Sequence, residues 1–152
     1  MTTDSRKLLV VEDDPGLQTQ LKWCFEGYDV VIAGDRETAL SELEKHRIPV
    51  VTLDLGLPPD ADGTSEGFQT LESILSKSPA AKVIVVTGNN DRQHALQAIG
   101  MGAYDFFYKP IDAELLGFIV NRAYRLYEIE DENQRLHVSG GESPLEGVIT
   151  AS

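Results

Sequence analysis

Short apolar runs alternate along this chain with longer stretches of helical period. Leu8-Leu9-Val10-Val11 is too short for a helix and runs straight into acidic residues, so it predicts a buried strand. Asp14-Pro15 supplies a helix start, with Asp as N-cap and Pro at the first helical position. Leu17, Leu21, Cys24 and Phe25 mark one face of that helix, and Gly27 ends it. Val30 to Ala33 predicts a second strand, and Ala39, Leu40 and Leu43 the inner face of a helix from about Arg36 to His46. Val50-Val51-Thr52-Leu53-Asp54 is a third apolar run, again closed by a carboxylate. A loop rich in Pro, Asp and Gly follows from Gly56 to Ser65; Phe68, Leu71, Ile74 and Leu75 then mark a third helix. Lys82 to Thr87 is the most β-branched strand, and Ala95, Leu96 and Ile99 mark a fourth helix closed by Gly100 and Gly102. Tyr104 to Tyr108 predicts a fifth strand, before a long helix from near Asp112 to about His137.

Five repeats of strand then helix imply a parallel sheet with right-handed crossovers, covered by helices on both faces. The expected architecture is a three-layer α/β/α sandwich. The pattern leaves two strand orders open, but in either one ligands bind at the carboxyl ends of the strands. Those ends carry Glu12, Asp13 and Asp14 on the first strand, Asp54 on the third, Thr87-Gly88 on the fourth and Lys109-Pro110 on the fifth. Adjacent strands lie about 4.8 Å apart, so three or four carboxylates, a hydroxyl and an ammonium can converge on one pocket.

Composition narrows the function. The 152 residues hold 13 Lys and Arg against 25 Asp and Glu, a formal charge of −12. A chain this anionic repels a phosphate backbone and is a poor direct DNA binder. The lone Cys24 cannot form an internal disulfide and reads as a small core residue. Trp23 and the tyrosines are likewise expected in the core. No apolar h-region follows the polar N-terminus and no segment is long enough to span a bilayer, so a cytoplasmic protein without membrane contact is expected.

Clustered carboxylates repel one another unless protonated or neutralised, and a hard divalent cation with oxygen ligands neutralises them. Mg²⁺, or Mn²⁺ in its place, is the expected ion. A carboxylate beside such an ion can attack phosphorus and form an aspartyl-phosphate, with Lys109 and the Thr87 hydroxyl bonding the phosphoryl oxygens. Taken singly, a strand-end Asp is more often a cap, and a Lys-Pro more often a turn. The joint placement carries the reading. His46, His94 and His137 share no metal-ligand spacing and are expected at the surface. Gly88-Asn89-Asn90-Asp91 lacks the Gly-Lys-Ser/Thr of a phosphate loop.

Val10-Val11-Glu12-Asp13-Asp14-Pro15, Asp54-x-x-x-Pro58, Thr87-Gly88 and Lys109-Pro110 together resemble the receiver-domain signature of two-component response regulators, over residues from about Lys7 to Arg125. The resemblance implies the flavodoxin-like strand order 2-1-3-4-5. It implies Glu12 and Asp13 as the acidic pair holding Mg²⁺, Asp54 as phosphoacceptor and the Gly56 carbonyl as a further metal ligand. Thr87 and Lys109 match the phosphoryl-sensing residues, and Phe106 matches the aromatic that changes rotamer in the switch. In many relatives the Lys-Pro bond is cis. Glu12 stands where Asp is usual, Gly88 where Ala is commoner, and the loop from Pro58 to Gly67 is longer than usual.

On the last helix Leu115, Leu116, Ile119, Val120 and Ala123 can cover the sheet, and the helix then continues beyond what a receiver needs. Leu126, Ile129, Asn133 and Leu136 are spaced three, four, three, a short heptad seam with Asn133 at an a-type position, and a paired, in-register dimer is expected. The expected division is a receiver over residues 1–125, a helical coiled-coil linker over 126–138 and a flexible linker over 139–152, the chain then stopping before an output domain. The whole resembles the front of regulators that activate sigma-54 RNA polymerase, and Asp54-Leu55-Gly56-Leu57-Pro58-Pro59 with its long loop looks close to those of the PEP-CTERM-box group. In such proteins an AAA+ ATPase and a helix-turn-helix would follow. Contact with DNA and polymerase is therefore expected only through those domains. The expected function is signalling, not enzymatic: a sensor histidine kinase phosphorylates Asp54, and the phosphorylated surface changes dimer pairing. The alternatives are a pseudo-receiver that only dimerises or docks, which the complete site argues against, and a metal-dependent hydrolase, for which no dedicated general acid or base is apparent.

Overall fold

The computed structural model describes residues 6–56, 65–88 and 92–140, and of 137–140 the backbone alone. The elements are β1 (Lys7–Val11), α1 (Pro15–Cys24), β2 (Asp29–Ala33), α2 (Arg36–Lys45), β3 (Val50–Asp54), α3 (Ser65–Lys77), β4 (Lys82–Thr87), α4 (Arg92–Met101), β5 (Asp105–Tyr108) and α5 (Ala113–Gly140). The strands form one parallel sheet in the order β2-β1-β3-β4-β5. Most of the long Asp54 loop, with Pro58, and the segment after Gly140 lie outside the described residues, as do Asn89, Asn90 and Asp91.

The three layers follow from strand periodicity. Leu9, Val11, Val51, Leu53, Val83 and Val85 point to one face, where Ala39, Leu43, Leu71, Ile74 and Ala98 of α2, α3 and α4 cover them. Leu8, Val10, Val50, Ile84, Val86 and Phe107 point to the other, against Leu21, Phe25, Leu116, Val120 and Ala123 on or next to α1 and α5. Both faces of the central strands are thus dry, and each fully buried Leu or Ile contributes about 1.5–3 kcal/mol. Asp14 caps α1 by accepting from the Leu17 N–H at 3.1 Å, and Asp35 caps α2 through Thr38 N–H at 2.8 Å.

Three helical faces differ from expectation. Trp23 is 71% exposed, because α1 reaches the sheet through Leu21 and, just past its end, Phe25, with Cys24 half-buried beside them. Trp23 lies about 200° around the helix from Leu21. On α4 the inner positions are Ala95 and Ala98, while Leu96 and Ile99 are exposed; two alanines let the helix lie close to the sheet. On α5, Leu116, Ile119, Val120 and Ala123 are buried, but Leu115 is 50% exposed. Of the tyrosines only Tyr124 is fully buried, its hydroxyl donating to the Lys7 carbonyl and its ring 5.4 Å from that of Tyr28.

Below Tyr124 the apolar face of α5 gives way to ionic contacts. Arg47 bonds Tyr127 Oη and Asp131 at 2.7 Å each, Lys82 bonds Glu130 at 2.6 Å, and Arg6 reaches Glu128 at 3.4 Å. These three cations come from the amino-terminal edge of the sheet and its loops, and they carry the helix past the end of the core. Leu126, Ile129, Asn133 and Leu136 lie on the opposite side of α5, with Ile129 53% and Leu136 61% exposed. Among the described residues, no helix is long and apolar enough to cross a membrane.

Candidate functional site

β1 and β3 are hydrogen-bonded neighbours at the centre of the sheet, with Val11 opposite Leu53. Their next residues, Glu12 and Asp54, therefore leave the sheet side by side. One carboxylate oxygen from each of Glu12, Asp13 and Asp54 lies within 4.8 Å of the others. Glu12 and Asp54 are buried and Asp13 is exposed, so the cluster is a pocket open on one side. Asp14, the fourth acid of the strand end, is spent on capping α1. Its own N–H donates to Glu12 Oε2 at 3.2 Å, and the Gln18 amide donates to the Glu12 carbonyl, so the β1–α1 turn is tied to the acid it presents.

On the other side of β3 the ladder runs Asp54 opposite Val86 and Thr87 opposite Tyr108. Thr87 is buried one residue beyond Val86, and its carbonyl accepts from the Lys109 N–H at 2.8 Å. That bond prolongs the β4–β5 pairing by one residue and aims Lys109 back across the sheet edge, where its Nζ lies 3.4 Å from Asp54 Oδ1. The Lys109-Pro110 peptide bond is cis. Asp54 Oδ1 also accepts from the Gly56 N–H at 3.2 Å. Phe106 sits opposite Val85, packed against the α2–α4 side of the core, with its ring 5.1 Å from that of Tyr108.

The electrostatics follow from packing three carboxylates around one ammonium. Burial, and after it the charge of Asp54, raises the Glu12 pKa to about 8; the Asp14 N–H and Lys109 draw it part of the way back. At neutral pH this favours a proton on Glu12, beside the Asp54 carboxylate. An all-oxygen donor set with surplus negative charge fits a hard divalent cation, which would displace that proton. His46 lies 3.7 Å from Glu42 and His94 packs its ring 5.8 Å from Phe68, both away from this cluster; the His137 side chain is outside the described residues.

Two features at the site had no signal in residue type. Thr52, two residues before Asp54, has a buried hydroxyl with no hydrogen-bond partner among the described residues. Gly67 on α3 lies directly against the backbone of Leu55. The second arises only in the folded chain, where α3 meets the strand end.

Residues 8–121 match the family of the response regulator receiver domain. The chain is 30% identical over 131 residues to the nitrogen assimilation regulatory protein NtrX of Azorhizobium caulinodans, covering 85% of this chain and 28% of that protein. It is 31% identical over 111 residues to the chemotaxis protein CheY of Listeria monocytogenes, covering 71% of this chain and 89% of that one. The crystal structure of NtrX from Brucella abortus in complex with ADP superposes with a TM-score of 0.81 at 27% identity, over 97% of this chain and 32% of that chain. This chain thus spans under a third of the two NtrX proteins and most of CheY.

Proposed function

The chain belongs to the response regulator receiver family, and on that premise we propose that Asp54 is the phosphoacceptor of a two-component signalling switch. The observation that carries this reading is the meeting of Glu12, Asp13 and Asp54 within one ligand-sized cluster, with the Lys109 ammonium 3.4 Å from Asp54. Glu12, Asp13, Asp54 and the Gly56 carbonyl would hold Mg²⁺ or Mn²⁺. The ion, when bound, offsets charge on the phosphoryl oxygens.

This chain's residues do the rest. A carboxylate oxygen of Asp54 attacks the phosphorus of a phosphohistidine on a partner kinase. The new O–P bond forms as the P–N bond breaks, and the imidazole leaves with the electron pair. Lys109 moves its charge from Asp54 to a phosphoryl oxygen, and the Thr87 hydroxyl bonds another. Thr87 and Lys109 are joined through the backbone, so a shift at one is felt by the β4–β5 edge that carries Phe106. Phe106 is only partly buried and can turn inward without leaving a fully packed site.

The outward seam of Leu126, Ile129, Asn133 and Leu136 supports a homodimer whose pairing the switch alters. The likeness to NtrX supports an output domain beyond the receiver, which would contact DNA and sigma-54 polymerase. Phosphoryl label taken up from acetyl phosphate by the wild type and lost in Asp54→Asn is the expected result; label retained by Asp54→Asn would remove the assignment. Sizing with and without beryllofluoride and Mg²⁺ tests the dimer. A pseudo-receiver, the alternative function, would take no label.

A further inference from the structure

We propose that Gly67 is a positioning residue for the metal-binding loop, because α3 rests without a side chain on the peptide that joins Asp54 to Gly56. The inference rests on the reading of Asp54 and the Gly56 carbonyl as metal ligands. Gly67 is the third residue of α3 and is buried. A Cβ there would lie 2.5 Å from Leu55 Cα and 2.7 Å from its carbonyl carbon, and nearer still to its carbonyl oxygen. All three are backbone atoms, which cannot swing aside as a side-chain end does. An ordinary carbon–carbon contact is about 3.5–4.0 Å, so any side chain at 67 must drive helix and loop apart by about 1 Å.

The displaced strip is the one that builds the site. The Leu55 side chain is fully buried, and its N–H donates to the Val86 carbonyl at 3.3 Å. Gly56 N–H in turn donates to Asp54 Oδ1 at 3.2 Å. The strip is therefore pinned by β4 on one side, by α3 at Gly67 on the other, and by Asp54 itself at its end. If α3 is forced away, the strip loses one of its walls, and the Gly56 carbonyl loses its fixed direction. Residues that orient a ligand from outside matter for metal affinity by about 10–100-fold, which sets the expected size.

The test is Gly67→Ala, with Ile74→Val as a partner variant that loosens the same helix two turns further on, adding no atom against the Leu55 backbone. Mg²⁺ dissociation constants come from calorimetry, on samples that circular dichroism shows folded. Gly67→Ala is expected to weaken Mg²⁺ about tenfold or more, while Ile74→Val stays close to wild type. Wild-type affinity in folded Gly67→Ala would overturn the proposal, and so would equal loss in Ile74→Val, which would mean general loosening. Should Gly67→Ala not fold, hydrogen exchange on the wild type decides. Mg²⁺ is expected to slow exchange at the Gln69, Thr70 and Leu71 amides along with Gly56; slowing at Gly56 alone would overturn the coupling. A wild type that binds no Mg²⁺ would instead sink the metal-site reading itself.

Discussion

Lowering the pH from about 8.5 to about 6.5 is expected to weaken Mg²⁺ binding about 25-fold, and the reason lies in one side chain. Glu12 is 3% exposed and faces Asp54, which raises its pKa to about 8. The metal takes the carboxylate form only, so the apparent affinity scales with the deprotonated fraction. That fraction is about three-quarters at the higher pH and about one in thirty at the lower, from the ordinary titration relation. The sign is checked in the metal-free protein. Because the folded pKa stands above the usual carboxylate value, the protonated form is the one folding favours. Stability from this group is full below about pH 4.5 and is lost as pH rises through about 8. Mg²⁺ restores what the charged form costs, so metal stabilisation grows with pH. Calorimetric titration in two buffers of different ionisation enthalpy measures both quantities: about one proton released per Mg²⁺ at the lower pH, about a quarter of one at the higher. Glu12→Gln is expected to flatten the pH dependence. A wild-type affinity that changes less than about threefold over this range, with no proton release, would refute the assignment of the proton to Glu12.

Thr52→Val removes a buried hydroxyl that has no partner among the described residues, flanked in register by Val10 and Ile84, and is expected to stabilise the fold by about 1 kcal/mol in urea titration; a lower midpoint would show that the hydroxyl is satisfied. Gly102→Ala places a side chain at φ 116°, with the new Cβ 3.1 Å from Leu75 Cδ1, and is expected to cost about 1–2 kcal/mol in the same assay. Arg47→Ala with Lys82→Ala removes the contacts of two of the three cations below Tyr124 and leaves Arg6 with Glu128; each ion pair is worth about 0.2–1 kcal/mol. Amides of α5 beyond Tyr127 should then exchange several-fold faster while those near Val120 do not change, and molar salt should mimic the double variant. Uniform protection along α5 in that variant would mean the helix extension does not depend on Arg47 and Lys82.

Much of this molecule is legible in its residues, for a definite reason. Leu8 to Val11, Val50 to Leu53 and Val83 to Val86 are continuous apolar runs, and only strands covered on both faces need them. The alternation of these runs with helical stretches leads to a parallel sheet, and the acids, Thr87 and Lys109 stand where the runs stop. The strand order was not in the pattern. It came with the family likeness and belongs to long-range pairing, such as Leu8 beside both Val30 and Val50. Helix faces are less legible. Leu96 and Leu115 each adjoin an inward residue, Ala95 and Leu116, and the angle at which a helix crosses the sheet decides which of two neighbours is covered. Trp23 points to solvent because it lies about 200° around α1 from the inward Leu21. The proton on Glu12 and the bare contact between Gly67 and Leu55 arise only when segments distant in the chain are pressed together. A carboxyl's pKa depends on what surrounds it, and a glycine's necessity depends on what touches it; local composition specifies neither.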